Sequence, residues 1–157
     1  MPARLFLVFM MGFLFLSGLM RVRDESIDPV KHTLTEEECS ACHIAYPAAM
    51  LPSTSWTRLM TSLESHFGED ASLDEESVTV IMDYLNSKSA DKSWFGNRFS
   101  RGQTRDWSIR ITETDYWLRE HKNLTFRNEL NFSNIIKSDC AACHDNASTG
   151  DFSVNDA

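Results

Sequence analysis

Cys39-Ser40-Ala41-Cys42-His43 and Cys140-Ala141-Ala142-Cys143-His144 are two copies of one pattern, C-x-x-C-H. Two thiols three positions apart can each add across one vinyl group of a porphyrin, which leaves the next imidazole beneath the iron. That is the attachment signal of haem c. The two motifs use all four cysteines of the chain, so no thiol remains for a disulfide or a separate zinc site. A four-cysteine zinc site sets its two knuckles roughly 15 to 20 residues apart, whereas most of this chain lies between them. A thioredoxin-type pair needs no histidine after its second cysteine and sits in a βαβ pattern, which surrounds neither motif. The residues therefore predict two covalently attached haem c groups, held by Cys39, Cys42, Cys140 and Cys143, with His43 and His144 as proximal ligands.

The sixth ligands follow partly from counting. The chain has seven methionines, none of them after Met82, so the second haem must use histidine, stay open or borrow a ligand from elsewhere. Apart from His144, the only histidine in that half is His121, which makes it the leading sixth ligand of the second iron. For the first iron the candidates are His66, His32, Met50 and Met60. His66 leads, because it shares the helical spacing of Leu59 and Leu63 and so points where the core points. Met60 reads as core filler, and His32, in a polar stretch, reads as a surface residue.

These groups must be positioned by helices, since several segments show a 3.6-residue apolar period and none shows sustained alternation. Thr35 with Glu38 forms a capping-box pattern for a helix that carries the first motif and stops at Pro47. Ser55 is expected to cap a second helix, burying Trp56, Leu59, Met60, Leu63 and Phe67 and ending at Gly68. A third should begin near Asp74 and bury Val78, Ile81, Met82 and Leu85. Three helices around one haem resemble a small class I cytochrome c.

Residues 87–106 change to polar and basic sequence, with Lys88, Lys92, Arg98, Arg101 and Arg105 among Trp94, Phe95 and Phe99. We read them as the junction to a second, less regular module. There Thr112 and Asp115 would cap a helix carrying Trp117 and His121 one turn apart. Ser133 would cap the helix of the second motif, and the polar tail after His144 should be loose. The organisation expected is thus 1–20 signal peptide, 21–86 N-terminal haem c domain, 87–106 connecting segment and 107–157 C-terminal haem c domain. The fold class is mostly α, with an N-terminal class I cytochrome c-like haem domain and a smaller irregular C-terminal haem domain.

Leu5 to Leu16 is an apolar run preceded by Arg4, the pattern of an export signal. It is shorter than the ~20 residues that span a bilayer comfortably. Removal and a periplasmic product are therefore preferred over an uncleaved membrane anchor. The formal net charge is −8, which with export argues against nucleic acid as a partner. Residues 21–83 hold four Lys or Arg against thirteen Asp or Glu, while 84–157 hold ten against ten. The first module would therefore steer a basic partner, near Glu36, Glu37, Glu69 and Asp70, through a salt-sensitive encounter.

The chain also resembles the bacterial dihaem cytochromes c known as DHC. The resemblance rests on Glu38 through Pro47 with Leu51-Pro52 and Trp56, on Ser65-His66-Phe67-Gly68 with Ala71, and on Arg110-Ile111-Thr112 through Trp117 and His121. It implies bis-histidine, low-potential irons, which on the matching positions means His43 with His66 and His144 with His121. It also implies a class I type domain joined to a haem domain of different shape. Electrons would pass to a small oxygen-binding monohaem cytochrome c, with a membrane cytochrome b as donor. The expected function is single-electron transfer rather than catalysis. The alternatives are a haem enzyme of peroxidase or reductase type, or a gas-binding module, and either needs one open iron.

Overall fold

A computed structural model describes residues 26–92, 98–100, 108–122 and 136–154. The mostly α expectation holds: the described residues form short helices and turns, with two isolated β-bridges and no strand among them. Nor is any described helix long and apolar enough to cross a membrane. The expected export signal at 1–20 lies outside these residues, as do Trp94, Phe95, Arg101, Arg105, Ser133 and Ile135.

Helix α1 spans Thr33–Cys39. It starts two residues before the expected cap, because His32 does the capping: its Nδ1 accepts from the Thr35 amide at 3.4 Å and meets the Thr35 hydroxyl at 2.8 Å. The His32 ring stacks on Tyr84, with centroids 4.9 Å apart. The surface position expected for His32 is thus a structural one. The helix stops at Cys39 rather than at Pro47, so Cys42 and His43 lie in the turn beyond it.

Helix α2 covers Ser53–Met60, and here too the expected bounds need correction. Its first residue is held from a distance, since the Asp91 carboxylate accepts from the Ser53 amide and hydroxyl, each at 2.8 Å. Ser55 is buried inside the helix and donates to the Ser108 carbonyl at 3.1 Å. The end comes eight residues before Gly68, where Thr61 and Ser62 turn their hydroxyls back onto the Thr57 and Arg58 carbonyls. Such bonds compete with helix continuation. A separate 3₁₀ turn, Leu63–Ser65, follows.

Helix α3, Glu75–Ser87, begins as expected, with the Asp74 side chain accepting from the Ser77 amide. It buries Ile81 and Leu85 against Ala48, Leu51, Trp56, Met60 and Leu63. The Trp56 indole inside this core donates to the Ala48 carbonyl at 2.7 Å, so its polar atom costs little to bury. Each fully buried Leu or Ile contributes roughly 1.5–3 kcal/mol, and the cluster fixes the loops that leave it on either side.

The junction also packs. Ala90 is buried and its amide donates to the Leu51 carbonyl, while buried Phe99 lies 4.3 Å from the Tyr116 ring. Helix α4, Asp115–Glu120, is capped by Thr114, not Thr112, which lies in the preceding 3₁₀ turn Ile111–Glu113. Ile111 packs against the first core.

The second motif sits in a 3₁₀ turn, Cys140–Ala142, rather than on an α-helix. The tail that follows is not loose. Ala147 is buried, Gly150 adopts φ +83°, and the Ile27 amide donates to its carbonyl at 2.8 Å. Asp151 bridges to Ser26, whose carbonyl also accepts from the Arg98 guanidinium.

Candidate haem sites

The first site forms where the turn after α1 meets the loop after α2. His43 leaves the Cys42 turn with its Nδ1 donating to the Ile44 carbonyl at 2.7 Å. A carbonyl can only accept, so Nδ1 carries a proton, and in the neutral ring that leaves the lone pair on Nε2. His66 was expected on the face of a helix and instead stands in a tight turn. The Glu69 amide donates to its carbonyl at 3.1 Å, and Phe67 and Gly68 between them both have positive φ, +57° and +109°. Positive φ is costly for a residue such as Phe, and it persists only where surrounding contacts impose it. Here the Arg110 guanidinium lies 4.0 Å from the Phe67 ring centroid. The turn brings the His66 ring centroid to 6.2 Å from that of His43, with the two planes 26° apart.

At the second site His121 ends α4. Its Nδ1 donates to the Trp117 carbonyl at 2.9 Å, and its ring stacks on Trp117 at 4.2 Å and 10°. His144 follows the Cys140 turn and touches Phe152 edge-on at 5.7 Å. The His121 and His144 centroids are again 6.2 Å apart, with the planes at 86°. His144 Nδ1 is buried with no hydrogen-bond partner.

These residues fit two haem irons. Imidazoles on opposite sides of one metal, each bonded at about 2 Å, place their ring centroids roughly 6 Å apart. Both histidine pairs are at that separation. Burial, reinforced by neighbouring His43 and Arg110, lowers the pKa of His66. Burial also lowers that of His121, despite the opposing hydrogen bond to Trp117. In His66 and His121 both shifts favour the neutral form that a metal requires.

The cysteines argue in the same direction. None is disulfide-bonded, and Cys39 and Cys140 are half-buried while Cys42 and Cys143 are exposed. Burial and Glu38 push the Cys39 thiol up to about 11, and burial with Asp139 pushes Cys140 up to about 11. A dithiol redox catalyst needs the opposite shift, towards thiolate.

Of the other ligand candidates, Met60 is part of the apolar core, Met50 is buried, and His32 is committed to its cap. Sequence reasoning missed Tyr46, Arg110 and Phe152 as parts of the sites. Tyr46 stacks on His43 at 4.7 Å and donates to the Ser138 carbonyl at 2.6 Å. Burial, with Cys140 and Asp139 nearby, pushes its phenol well above the usual range. Its sequence signals were its place three residues beyond a haem motif and within the Glu38–Pro47 block that carries the family resemblance.

The family model for dihaem cytochrome c matches residues 35–152. No curated protein matches the chain. Among solved structures, a diheme cytochrome c from Rhodobacter sphaeroides is 44% identical, with a TM-score of 0.70, covering 79% of this chain and 98% of that one. A DHC purified from Rhodobacter sphaeroides gives 43% identity and a TM-score of 0.65, over 78% and 97%. A diheme cytochrome type c from Shewanella baltica OS155 gives 30% and 0.58, over 74% and 83%. On the match over residues 35–152 and identities of 44% and 43%, this chain, with an attachment motif for each of two covalently bound haem c groups, belongs to the dihaem cytochrome c family.

Proposed function

We propose that the chain carries single electrons on two bis-histidine irons, His43 with His66 and His144 with His121, each haem anchored by the cysteine pair beside its proximal histidine. The matched 6.2 Å separation of the two histidine pairs carries this reading. Membership of the dihaem cytochrome c family supports electron transfer as the activity. When bound, each haem supplies a one-electron Fe(III)/Fe(II) couple.

The chain's own residues do the rest. His43 with His66 and His144 with His121 would hold the two irons, and two imidazole ligands per iron would lower the potential relative to Met/His ligation and leave no position for a small ligand. The carbonyls of Ile44 and Trp117 hold the His43 and His121 rings by their Nδ1 protons and raise the basicity of the opposite nitrogens. Trp117 keeps His121 from rotating, and the Phe67-Gly68 turn presents His66.

Residues 1–20 direct export and are removed, placing the carrier in the periplasm. The acceptor is a small oxygen-binding monohaem cytochrome c and the donor a membrane cytochrome b, as the resemblance of the sequence implies. The test is the intact mass of the purified protein with its spectrum, oxidised and reduced, before and after carbon monoxide. The mass should show two haems and the loss of residues 1–20, and both haems should stay low-spin and ignore the gas. His121→Ala should open one iron to the gas and leave the other closed. Carbon monoxide binding by the unaltered protein would overturn the ligation.

A further inference from the structure

One side chain spans the space between the two sites. Tyr46 lies three residues beyond His43, and its ring stacks on the His43 imidazole, with centroids 4.7 Å apart and planes at 26°. Its hydroxyl points the other way and donates to the Ser138 carbonyl at 2.6 Å, a contact across 92 positions of chain. Ser138 is two residues before Cys140, the first cysteine of the second motif. Ser138 also begins no regular element that would fix it locally. The chain there runs through a turn, in which the Asp139 amide donates to the Ile136 carbonyl and Ile136 is exposed. A half-buried phenol thus joins the proximal histidine of one site to the attachment segment of the other.

We propose that Tyr46 is a positioning residue for electron exchange between the two haems, its ring holding His43 and its hydroxyl holding the Ser138–Cys140 segment. The inference rests on the haem assignment above and adds to it the element that sets how the two centres face each other. In the exchange one electron leaves one iron and arrives at the other, so one centre is oxidised as the other is reduced. The Tyr46 hydroxyl keeps its proton, and no covalent bond forms or breaks.

The test compares the unaltered holoprotein with Tyr46→Phe, which keeps the ring and removes the tie, and Tyr46→Leu, which removes both. Electron exchange is read in half-reduced protein from line broadening of the haem resonances, and local opening from amide hydrogen exchange. Losing one hydrogen bond should raise exchange at the Ala142 and Cys143 amides about fivefold in Tyr46→Phe. Inter-haem exchange should slow in Tyr46→Phe and slow further in Tyr46→Leu, while the low-spin spectra of Tyr46→Phe stay unchanged. Inter-haem rates equal to the unaltered protein's in both variants would overturn the proposal, even if the amides open faster. The ligation itself is judged separately, on the spin state and gas binding of the unaltered protein, so the two readings fail independently.

Discussion

Asp91→Ala removes a carboxylate that stitches the segment after α3 to the start of α2. Its oxygens accept from the Ser53 amide at 2.8 Å, the Ser53 hydroxyl at 2.8 Å and the Ser89 hydroxyl at 2.6 Å. Partial burial is the largest single influence and opposes ionisation. The bonds from Ser89 and Ser53 together outweigh it and bring the carboxyl from 3.8 down to about 2. At full weight that difference corresponds to about 2.4 kcal/mol of stability. The group is largely exposed, and solvent screening reduces the figure to about 1–1.5 kcal/mol. Because the folded pKa lies below the unfolded one, this stability is fully present above about pH 4. It is lost as the pH falls through about 2. Thermal unfolding followed by circular dichroism should place the variant about 3–6 °C below the unaltered protein at pH 7. The gap should narrow steadily between pH 4 and pH 2. Titration of the haem-site histidines affects both proteins equally and cancels in the difference. A gap that stays constant down to pH 2, or widens in acid, would refute the reasoning.

Two further outcomes follow from the geometry. Gly150→Ala would drive a Cβ into the Ile27 carbonyl at a position whose φ is +83°, costing about 2–3 kcal/mol from left-handed strain and the lost Ile27–Gly150 bond. Because Phe152 lies against His144, the second haem's spectrum should change more than the first's, and an unchanged melting temperature would count against it. The imidazole planes are 26° apart at the first site and 86° apart at the second. Near-parallel imidazoles donate into the same iron d orbital, whereas near-perpendicular ones donate equally into two. Frozen oxidised protein should therefore show two different low-spin electron paramagnetic resonance signals, one rhombic and one strongly anisotropic. Two signals of the same type would contradict the plane angles.

What the sequence made legible divides along the distance over which each signal acts. Asp74 caps α3 through the amide of Ser77, three residues away, and was readable as such. Of the residues that apolar spacing assigned to the core, Trp56, Met60, Leu63, Ile81 and Leu85 form it, Leu59, Val78 and Met82 pack partly buried against it, and Phe67 is exposed. The start of α2 was not readable, because Asp91 fixes it across 38 positions. The start of α1 was missed for a different reason: histidine lies outside the Ser, Thr, Asp and Asn set that dominates N-caps. His66 comes beside His43, but through a positive-φ turn at Phe67 rather than along a helix face. The tail after His144 looked polar and free, yet Ile27, at the other end of the described chain, holds it.

The two sites differ in what supports them. Around the first, α2 and α3 enclose a core from which the His66 turn emerges, and Leu63 within that core accepts from both the His66 and Ala71 amides. Around the second, the buried side chains among the described residues are few, chiefly Phe99, Thr114 and Ala147. Its histidines are held instead by contacts made singly, with Trp117 behind His121 and Phe152 beside His144. Ties back to the residues around the first site supplement them: Ser55 to Ser108, Ile111 against the core, Tyr46 to Ser138 and Arg110 over Phe67. Arg110 and Tyr46 cross in opposite directions: Arg110, eleven residues before His121, lies over Phe67 beside His66, while Tyr46, three residues beyond His43, reaches Ser138 ahead of the second motif. The two candidate sites are thus joined by direct side-chain contacts. For electron transfer such ties bear on rate, because tunnelling between centres depends on their mutual placement.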